Sequence, residues 1–306
     1  MADKPAWRGE LRERMAGRIL FDEPAEGHTS IGVGGTIDAL CFPRSEDELA
    51  GVVAFLGARR VPFLAVGNWT NLIVLSGGFR GALISTTGLR SLTVRTEADG
   101  GVRLEAQAGV PLAELVNLSL SEAFTGMEFC AGIPGSVGGA VRMNAGAYGG
   151  EIKDICRSVR LIDPQGGIRS VRRADLVFSY RNLDLPAESI IIGAALSLRR
   201  GEGDAIARRI QDIIALRREK HPLEFRNAGS IFKNPLEVPA GKLIEAAGLK
   251  GMRIGDAQVS EKHGNFIVNR GRATAEELLA LIEIVQKRVY EETGHALERE
   301  VKIIGE

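Results

Sequence analysis

Between Gly132 and Glu151 the chain reads GIPGSVGGAVRMNAGAYGGE, seven glycines in twenty residues with small side chains between them. No other stretch limits the fold so tightly. Each interior glycine costs a helix roughly 1 kcal/mol relative to alanine, and glycine gives a pleated sheet nothing to pack. Neither a stable helix nor a long strand is therefore expected here. The glycines offer backbone that can take positive φ and approach a ligand with no Cβ in the way. Successive N–H groups in such turns form concavities that bind anions. Two readings fit: a wall against which a phosphate-bearing cofactor lies, or a buried crossing of loops with no ligand.

At 306 residues the chain is long enough for two or three compact units. Lys+Arg and Asp+Glu balance at 39 each, so no global field holds nucleic acid or an anionic membrane. The N-terminal MADKPAWRGELRER is charged from Asp3 and has no apolar h-region, which argues against a signal peptide. No apolar run nears the ~18 residues of a membrane span. A soluble cytoplasmic protein is expected. Cys41, Cys130 and Cys156 form no CxxC pair and read as buried small hydrophobes. The histidines His28, His221, His263 and His295 show no HExxH spacing, so no metal site is expected. Neither a dinucleotide fingerprint nor a P-loop is present, and neither Ser136 nor Ser230 sits in GxSxG.

Residues 8–18 read as a short charged helix. The span 28–43 reads as a strand leaving a glycine turn, and Ser45-x-x-Glu48 as a capping box. The helix it starts carries Leu49, Val52, Val53 and Leu56 on one face, with Gly57 as its stop. A strand over 61–66 completes a β–α–β unit and runs into Gly67-Asn68-Trp69-Thr70-Asn71, where α/β proteins place ligands. Short strands over 72–75, 82–85, 92–95 and 102–106 alternate with glycine turns. Pro111 opens a helix. Further strands are expected over 158–163, 168–172 and 190–198. From about residue 201 the texture changes to a helix ended by Pro222, a helix over 241–247, and a helix capped by Thr274-x-x-Glu277 and closed by Gly294. The span 297–304 reads as a final strand carrying Glu300.

Two polar constellations stand out. Asn227-Ala228-Gly229-Ser230-Ile231-Phe232-Lys233-Asn234-Pro235 crowds amides, a hydroxyl and an amine among apolar residues, and Phe178-Ser179-Tyr180-Arg181-Asn182 puts an arginine beside a tyrosine. Taken alone, a capped turn, a surface arginine and a solvent-facing glutamate explain these residues and Glu300 better than catalysis does.

The ordered motifs GNWTNLIV (67–74), AGIPGSVGGAVRMNAGAYGGE (131–151), YRN (180–182), NAGSIFKNP (227–235), AQVSEKHGNFIVN (257–269) and LEREVKIIG (297–305) resemble the UDP-N-acetylenolpyruvoylglucosamine reductase family from about His28 to the C-terminus. The resemblance implies an α+β fold. A vanillyl-alcohol-oxidase-type FAD-binding domain of two subdomains (about 1–75 and 76–200) would precede a substrate-binding α+β domain over 201–306. It implies FAD as cofactor, NADPH as hydride donor, and reduction of UDP-N-acetylglucosamine enolpyruvate to UDP-N-acetylmuramate for peptidoglycan, by a monomer. The catalytic residues it implies are Arg181, Ser230 and Glu300. Arg181 suits a carboxylate that gathers charge, Ser230 the proton donor, and Glu300 a polarising group. FAD contacts would come from Gly67, Asn68, Thr70 and Asn71 in the first loop. In the glycine-rich stretch they would come from Gly132, Gly135, Ser136, Gly138, Gly139, Asn144, Ala145 and Gly146. Tyr180, Lys220, Asn234 and His263 would bind substrate.

Two departures stand beside the resemblance. The family's first loop usually carries glycine and serine where this chain has Trp69 and Thr70. A tryptophan at φ > 0 is strained, so its ring is expected either to turn outward or to cover part of the FAD. The short AGAYGGE and SEKHGNF forms resemble the branch lacking a substrate-capping tyrosine loop, which implies a more open site. An alcohol oxidase of the same fold and a flavin-binding protein without catalysis are the competing functions.

Overall fold

The computed structural model describes residues 6–306; residues 1–5, the start of the charged N-terminal stretch, lie outside the described residues. Two compact units emerge, each drawn from three separate spans. One comprises residues up to 21 with 39–68 and 81–215, the other residues 22–38, 69–80 and 216–306.

The first unit is built on two sheets. In one, the strands run in the order Arg18–Pro24, Thr36–Phe42, Phe79–Ser85, Phe63–Val66, with the last pair parallel. The helix Glu46–Ala58 links Thr36–Phe42 to Phe63–Val66 and buries Leu49, Val52, Val53 and Leu56 among Ala39, Cys41, Ala82 and Ile84. The other sheet is antiparallel, ordered Ile168–Arg172, Cys156–Ile162, Ile190–Arg200, Val102–Gln107, Leu92–Thr96. Its central strand is almost continuously apolar because it is covered on both faces. Ile190 and Ile192 join the first core while Ile191, Ala194 and Leu196 join a second.

Local punctuation differs from expectation at two places in this unit. The Ser45 hydroxyl does accept the Glu48 N–H at 3.1 Å, but Glu48 does not return the bond. Its carboxylate instead accepts the backbone N–H of Arg44 and of Gly17, each at 2.6 Å. The helix also runs through Gly57 to Ala58 and stops where Arg60 turns to φ +53.

The glycine-rich stretch contradicts its expected lack of helix. Residues Val137–Arg142 form a six-residue helix that contains Gly138 and Gly139. Two interior glycines cost about 2 kcal/mol. Burying one valine returns about 1.5–3 kcal/mol, and Val137, Ala140 and Val141 are all buried. Packing therefore overrides propensity. Gly138 is required by that packing, since a Cβ there would lie 2.8 Å from the Ala108 Cβ.

The second unit has an antiparallel sheet ordered Arg226–Ser230, Phe266–Asn269, Ala257–Val259, Arg253–Ile254. The helix Ala275–Thr293 buries Leu278, Leu281, Ile282, Val285 and Val289 in the unit's core. It starts with a reciprocal Thr274–Glu277 capping box and ends at Gly294, φ +72. The expected final strand over 297–304 is shorter. Only Lys302–Ile304 is regular, pairing in parallel with Leu72–Val74, and Glu300 lies before it. Among the described residues no helix is long and apolar enough to cross a membrane.

Candidate active site

In the first unit, Arg181 sits at the tip of a hairpin. Strands Val177–Ser179 and Asn182–Asp184 pair with Ser179 opposite Asn182, leaving Tyr180 and Arg181 as the two turn residues. Arg181 adopts φ +56, a conformation that costs an L-residue roughly 1–2 kcal/mol. Its guanidinium carbon lies 4.9 Å from the centre of the Tyr180 ring, which is itself 42% exposed.

The turn is fixed from the glycine-rich stretch. Asn144 is fully buried, donates from Nδ2 to the Ser179 carbonyl at 3.0 Å and to the Glu151 carboxylate at 2.8 Å, and accepts the Lys153 N–H on Oδ1 at 3.0 Å. Glu151 is held below the ordinary carboxylate range, mainly by its bond to Lys153, then by Asn144 and by the charges of Lys153 and Arg181. The Asn144 side chain thus ties the glycine-rich stretch to the Arg181 hairpin. The MNAGA motif pointed to this residue as a cofactor contact, while its side chain serves the protein.

The first unit also holds most of the expected FAD residues. Gly132 and Gly135 take φ +71 and +147. Gly138 is buried and Gly139 exposed within the short helix. Gly146 pairs with Glu151 in a two-residue ribbon, and Ala145 accepts the Ile152 N–H at 3.0 Å. Ser136 caps that helix with extended backbone, yet its Oγ is buried with no hydrogen-bond partner. A buried orphan hydroxyl costs about 1–3 kcal/mol, which a ligand oxygen would repay. Beside it Gly67 keeps the space open, since a Cβ there would come within 2.5 Å of the Ser136 Oγ. The cradle fits a phosphate-bearing cofactor and would be closed by any side chain at Gly67.

In the second unit, Ser230 ends the strand Arg226–Ser230 opposite Phe266, after a register shift that begins at Asn227. Gly229 makes that bulge with φ +74. The bulge re-aims the residue that follows. Asn265 then clamps the next two residues. Its Oδ1 accepts the Phe232 N–H at 2.9 Å, its Nδ2 donates to the Phe232 carbonyl at 2.8 Å, and its own carbonyl accepts the Ile231 N–H at 2.9 Å. The Glu300 N–H donates to the Ile231 carbonyl at 2.8 Å, and Arg299 bridges Phe232. Ser230 and Glu300 are therefore brought onto neighbouring backbone, although 70 residues separate them in sequence.

The second half of the Gly67–Asn71 loop packs in the same place. The Asn71 amide donates to the Glu300 carbonyl at 3.1 Å, and the Thr70 carbonyl lies 3.9 Å from where a Gly229 Cβ would stand. Asn68 is exposed. Trp69 does take positive φ, +55, and its ring is buried against His28 with centroids 5.4 Å apart. Of the two expected positions for that ring, the outward one is excluded.

The expected substrate residues are spread over both units. Tyr180 lies in the first, while Lys220, Asn234 and His263 lie in the second. Lys220 is the exposed last residue of the helix Gly203–Lys220. Asn234 accepts the Ala240 N–H at 3.0 Å, at the start of the helix Ala240–Ala246. His263 accepts the Asn265 N–H on Nδ1 at 3.1 Å and packs on His221 and Phe266, ring centres 5.5 and 5.0 Å away. The histidine pair gained no role from sequence spacing.

His221 is pushed down to about 4, first by burial and then by the charges of Arg217, His263, Lys262 and Lys220. Its folded pKa lies below the unfolded value, so acid protonates the unfolded chain first. Stability contributed by neutral His221 is complete above about 6.5 and is lost as pH falls towards 4. Urea midpoints are expected to drop across that window, and His221→Gln to flatten the drop. An unchanged acid limb in the variant would show that His221 is not held neutral.

Comparison with known proteins places the geometry. Residues 37–172 match the FAD binding domain family model, and residues 221–304 match that of the UDP-N-acetylenolpyruvoylglucosamine reductase C-terminal domain. The chain is 50% identical over 297 residues to the UDP-N-acetylenolpyruvoylglucosamine reductase of Syntrophus aciditrophicus, covering 97% of this chain and 95% of that one. It is 43% identical over 291 residues to the enzyme of the same name from Caldanaerobacter subterraneus, covering 95% of each. The crystal structure of the Thermus caldophilus reductase superposes with a TM-score of 0.79 at 32% identity, over 95% of this chain and 100% of that one. Two sheets around a glycine-rich cradle, followed by an α+β sheet domain, define an FAD-dependent oxidoreductase of vanillyl-alcohol-oxidase type. The chain belongs to the UDP-N-acetylenolpyruvoylglucosamine reductase family.

Proposed function

We propose that the protein reduces UDP-N-acetylglucosamine enolpyruvate to UDP-N-acetylmuramate with electrons from NADPH, residues 1–200 holding FAD and 201–306 the UDP substrate. When bound, FAD supplies the redox chemistry, accepting a hydride from NADPH and delivering it to C3 of the enolpyruvyl group. The chain supplies charge and a proton. Hydride addition at C3 leaves an electron pair at C2 that delocalises into the neighbouring carboxylate. Arg181 offers that carboxylate two parallel N–H donors and a fixed positive charge, stabilising the anion as it forms. The Ser230 hydroxyl gives its proton to C2 and completes the saturated lactyl ether. Glu300 polarises the same carboxylate. Lys220 and Asn234 take the diphosphate, with Tyr180 and His263 along the substrate. With no capping tyrosine loop, the site is the more open kind.

The observation that carries this reading is the joining of Ser230 and Glu300 through Ile231, by a bulge and a clamp that an ordinary turn does not need. The test is anaerobic turnover with the UDP substrate. NADPH consumption is expected to require that substrate and to yield a product heavier by two hydrogens. In a parallel aerobic assay, equally fast consumption with the substrate absent would instead identify an oxidase.

A further inference from the structure

In the second unit a cavity of about 360 Å³ opens on the sheet face turned away from that unit's core. Its size falls within the roughly 300–1,000 Å³ of pockets that enclose a small ligand. Strand register builds it. Gln258 and Val268 are directly paired and both line the cavity, while their neighbours Val259 and Ile267 are buried in the core on the other face. Val268 is buried and gives the cavity an apolar floor, to which Phe225 adds an apolar wall. None of the residues assigned to FAD or to the UDP substrate lines it.

The polar groups separate along the strands. Arg270 stands two residues beyond Val268 at one end, its guanidinium carbon 4.4 Å from the centre of the Phe225 ring. Asp256 accepts the Arg270 N–H on its carbonyl at 2.8 Å but pairs its carboxylate with Arg253. Arg270 therefore keeps no ion pair among the described residues, and neither does Glu261 at the other end. Beside Glu261, the buried Ser260 Oγ accepts the N–H groups of Lys262 and His263 at 3.1 and 3.3 Å, which leaves its proton to donate. The Lys262 ammonium is engaged elsewhere, on the Arg218 carbonyl at 2.7 Å. Midway, Gln258 donates from Nε2 to the Gly251 carbonyl at 3.1 Å, which holds the amide and leaves Oε1 as an acceptor.

We propose that this cavity binds a short peptide with free ends, its carboxylate on Arg270 and its ammonium on Glu261. The Arg270 fork meets a carboxylate with two parallel N–H donors. Gln258 Oε1 accepts a peptide N–H, the Ser260 hydroxyl donates to a peptide carbonyl, and an apolar side chain rests on Val268 and Phe225. The spacing selects the length. By register Arg270 and Ser260 stand four residue steps apart, about 14 Å at ~3.4 Å per step, and the Arg270 and Glu261 side chains reach into that span. What is left suits a di- or tripeptide at roughly 3.5 Å per residue and is too long for a single amino acid. A simple anion would leave Glu261 unmatched, and a simple cation Arg270. The inference is independent of the proposed reaction.

The test is calorimetric titration of the full-length protein with L-alanyl-L-leucine and tri-L-alanine, each also in N-acetylated and C-amidated form. Arg270→Gln and C-amidation are each expected to weaken binding about 10–100-fold, as are Glu261→Gln and N-acetylation. Combining Arg270→Gln with the amidated peptide should add no further loss, which fixes the orientation by a double-mutant cycle. Glu224→Gln removes a different carboxylate from the same rim and is expected to leave affinity unchanged. All three side chains are exposed, so the variants should fold as the wild type does. Absence of binding by both free peptides at millimolar concentration would overturn the proposal. So would equal binding of the blocked peptides, or a loss shared equally by Glu224→Gln, which would reduce the effect to net charge. Displacement of the peptide by the UDP substrate would make the cavity part of the substrate site and overturn it as well. Calorimetry needs no turnover, so failure of the proposed reaction would leave this result standing.

Discussion

Ser230→Ala is expected to leave reduction of the bound flavin by NADPH at its wild-type rate and to slow reoxidation by the UDP substrate by about 10²–10⁴-fold, the range of a lost proton donor. The split follows from where the proton is needed. Hydride arrival from NADPH requires no proton at the enolpyruvyl carbons, whereas its transfer to C3 leaves a charge at C2 that must be quenched. Ser230 stands at the end of a strand and is half-buried. Its position is set by the Gly229 bulge and the Asn265 clamp, both of which alanine leaves intact. Stability is therefore expected to stay within about 0.5 kcal/mol of wild type. Stopped-flow measurement of the two half-reactions separates the outcomes. Equal slowing of both would point to a misplaced cofactor, and unchanged reoxidation would remove Ser230 from the chemistry.

Much of the fold was readable because its signals are local. The helix Ala275–Thr293 announced itself through a capping box, an apolar face and a terminal glycine, and all three are present. The strand Ile190–Arg200 was readable as a continuous apolar run. What escaped depends on contacts distant in sequence. The helix Val137–Arg142 exists because Val137 and Val141 are buried in a core supplied by other segments, and nothing in VGGAVR advertises that burial. The parallel pairing of Lys302–Ile304 with Leu72–Val74 spans most of the chain and has no local pattern.

The site divides in the same way. Arg181, Ser230 and Glu300 were proposed from the motifs, and the structure adds what holds them. Asn144 fixes the Arg181 hairpin and Asn265 fixes the backbone after Ser230. Each is a buried amide among apolar neighbours, and such a residue must find partners to remain buried. That signal was available for Asn265, which follows a glycine and precedes Phe266-Ile267-Val268. The glycine-rich stretch, proposed as a surface for the cofactor, also has a part in the protein's own framework. Through Asn144 it also orients the arginine assigned to the substrate carboxylate.

Arg181→Gly and Arg181→Ala are expected to be equally impaired, turnover falling about 10²–10³-fold as when a transition-state donor is removed, yet to differ in stability. Arg181 occupies the left-handed region at φ +56. Alanine keeps that strain and forfeits the cation–π contact with Tyr180, worth about 0.5–1 kcal/mol at an exposed ring. Glycine forfeits the same contact but relieves roughly 1–2 kcal/mol of backbone strain. Its greater freedom in the unfolded chain returns about 0.5–1 kcal/mol of that gain. The glycine variant should therefore be the more stable of the two by up to about 1.5 kcal/mol. Arg181→Lys keeps a positive charge without the paired fork and should recover only part of the turnover. Melting curves and turnover on the three variants decide the matter. An alanine variant as stable as glycine would mean the turn relaxes out of the left-handed region without loss. A glycine variant that turns over normally would mean that the substrate carboxylate is met by another cation. With all three outcomes as expected, turnover needs the Arg181 guanidinium, and its backbone is held in the left-handed region at a cost in stability that glycine relieves.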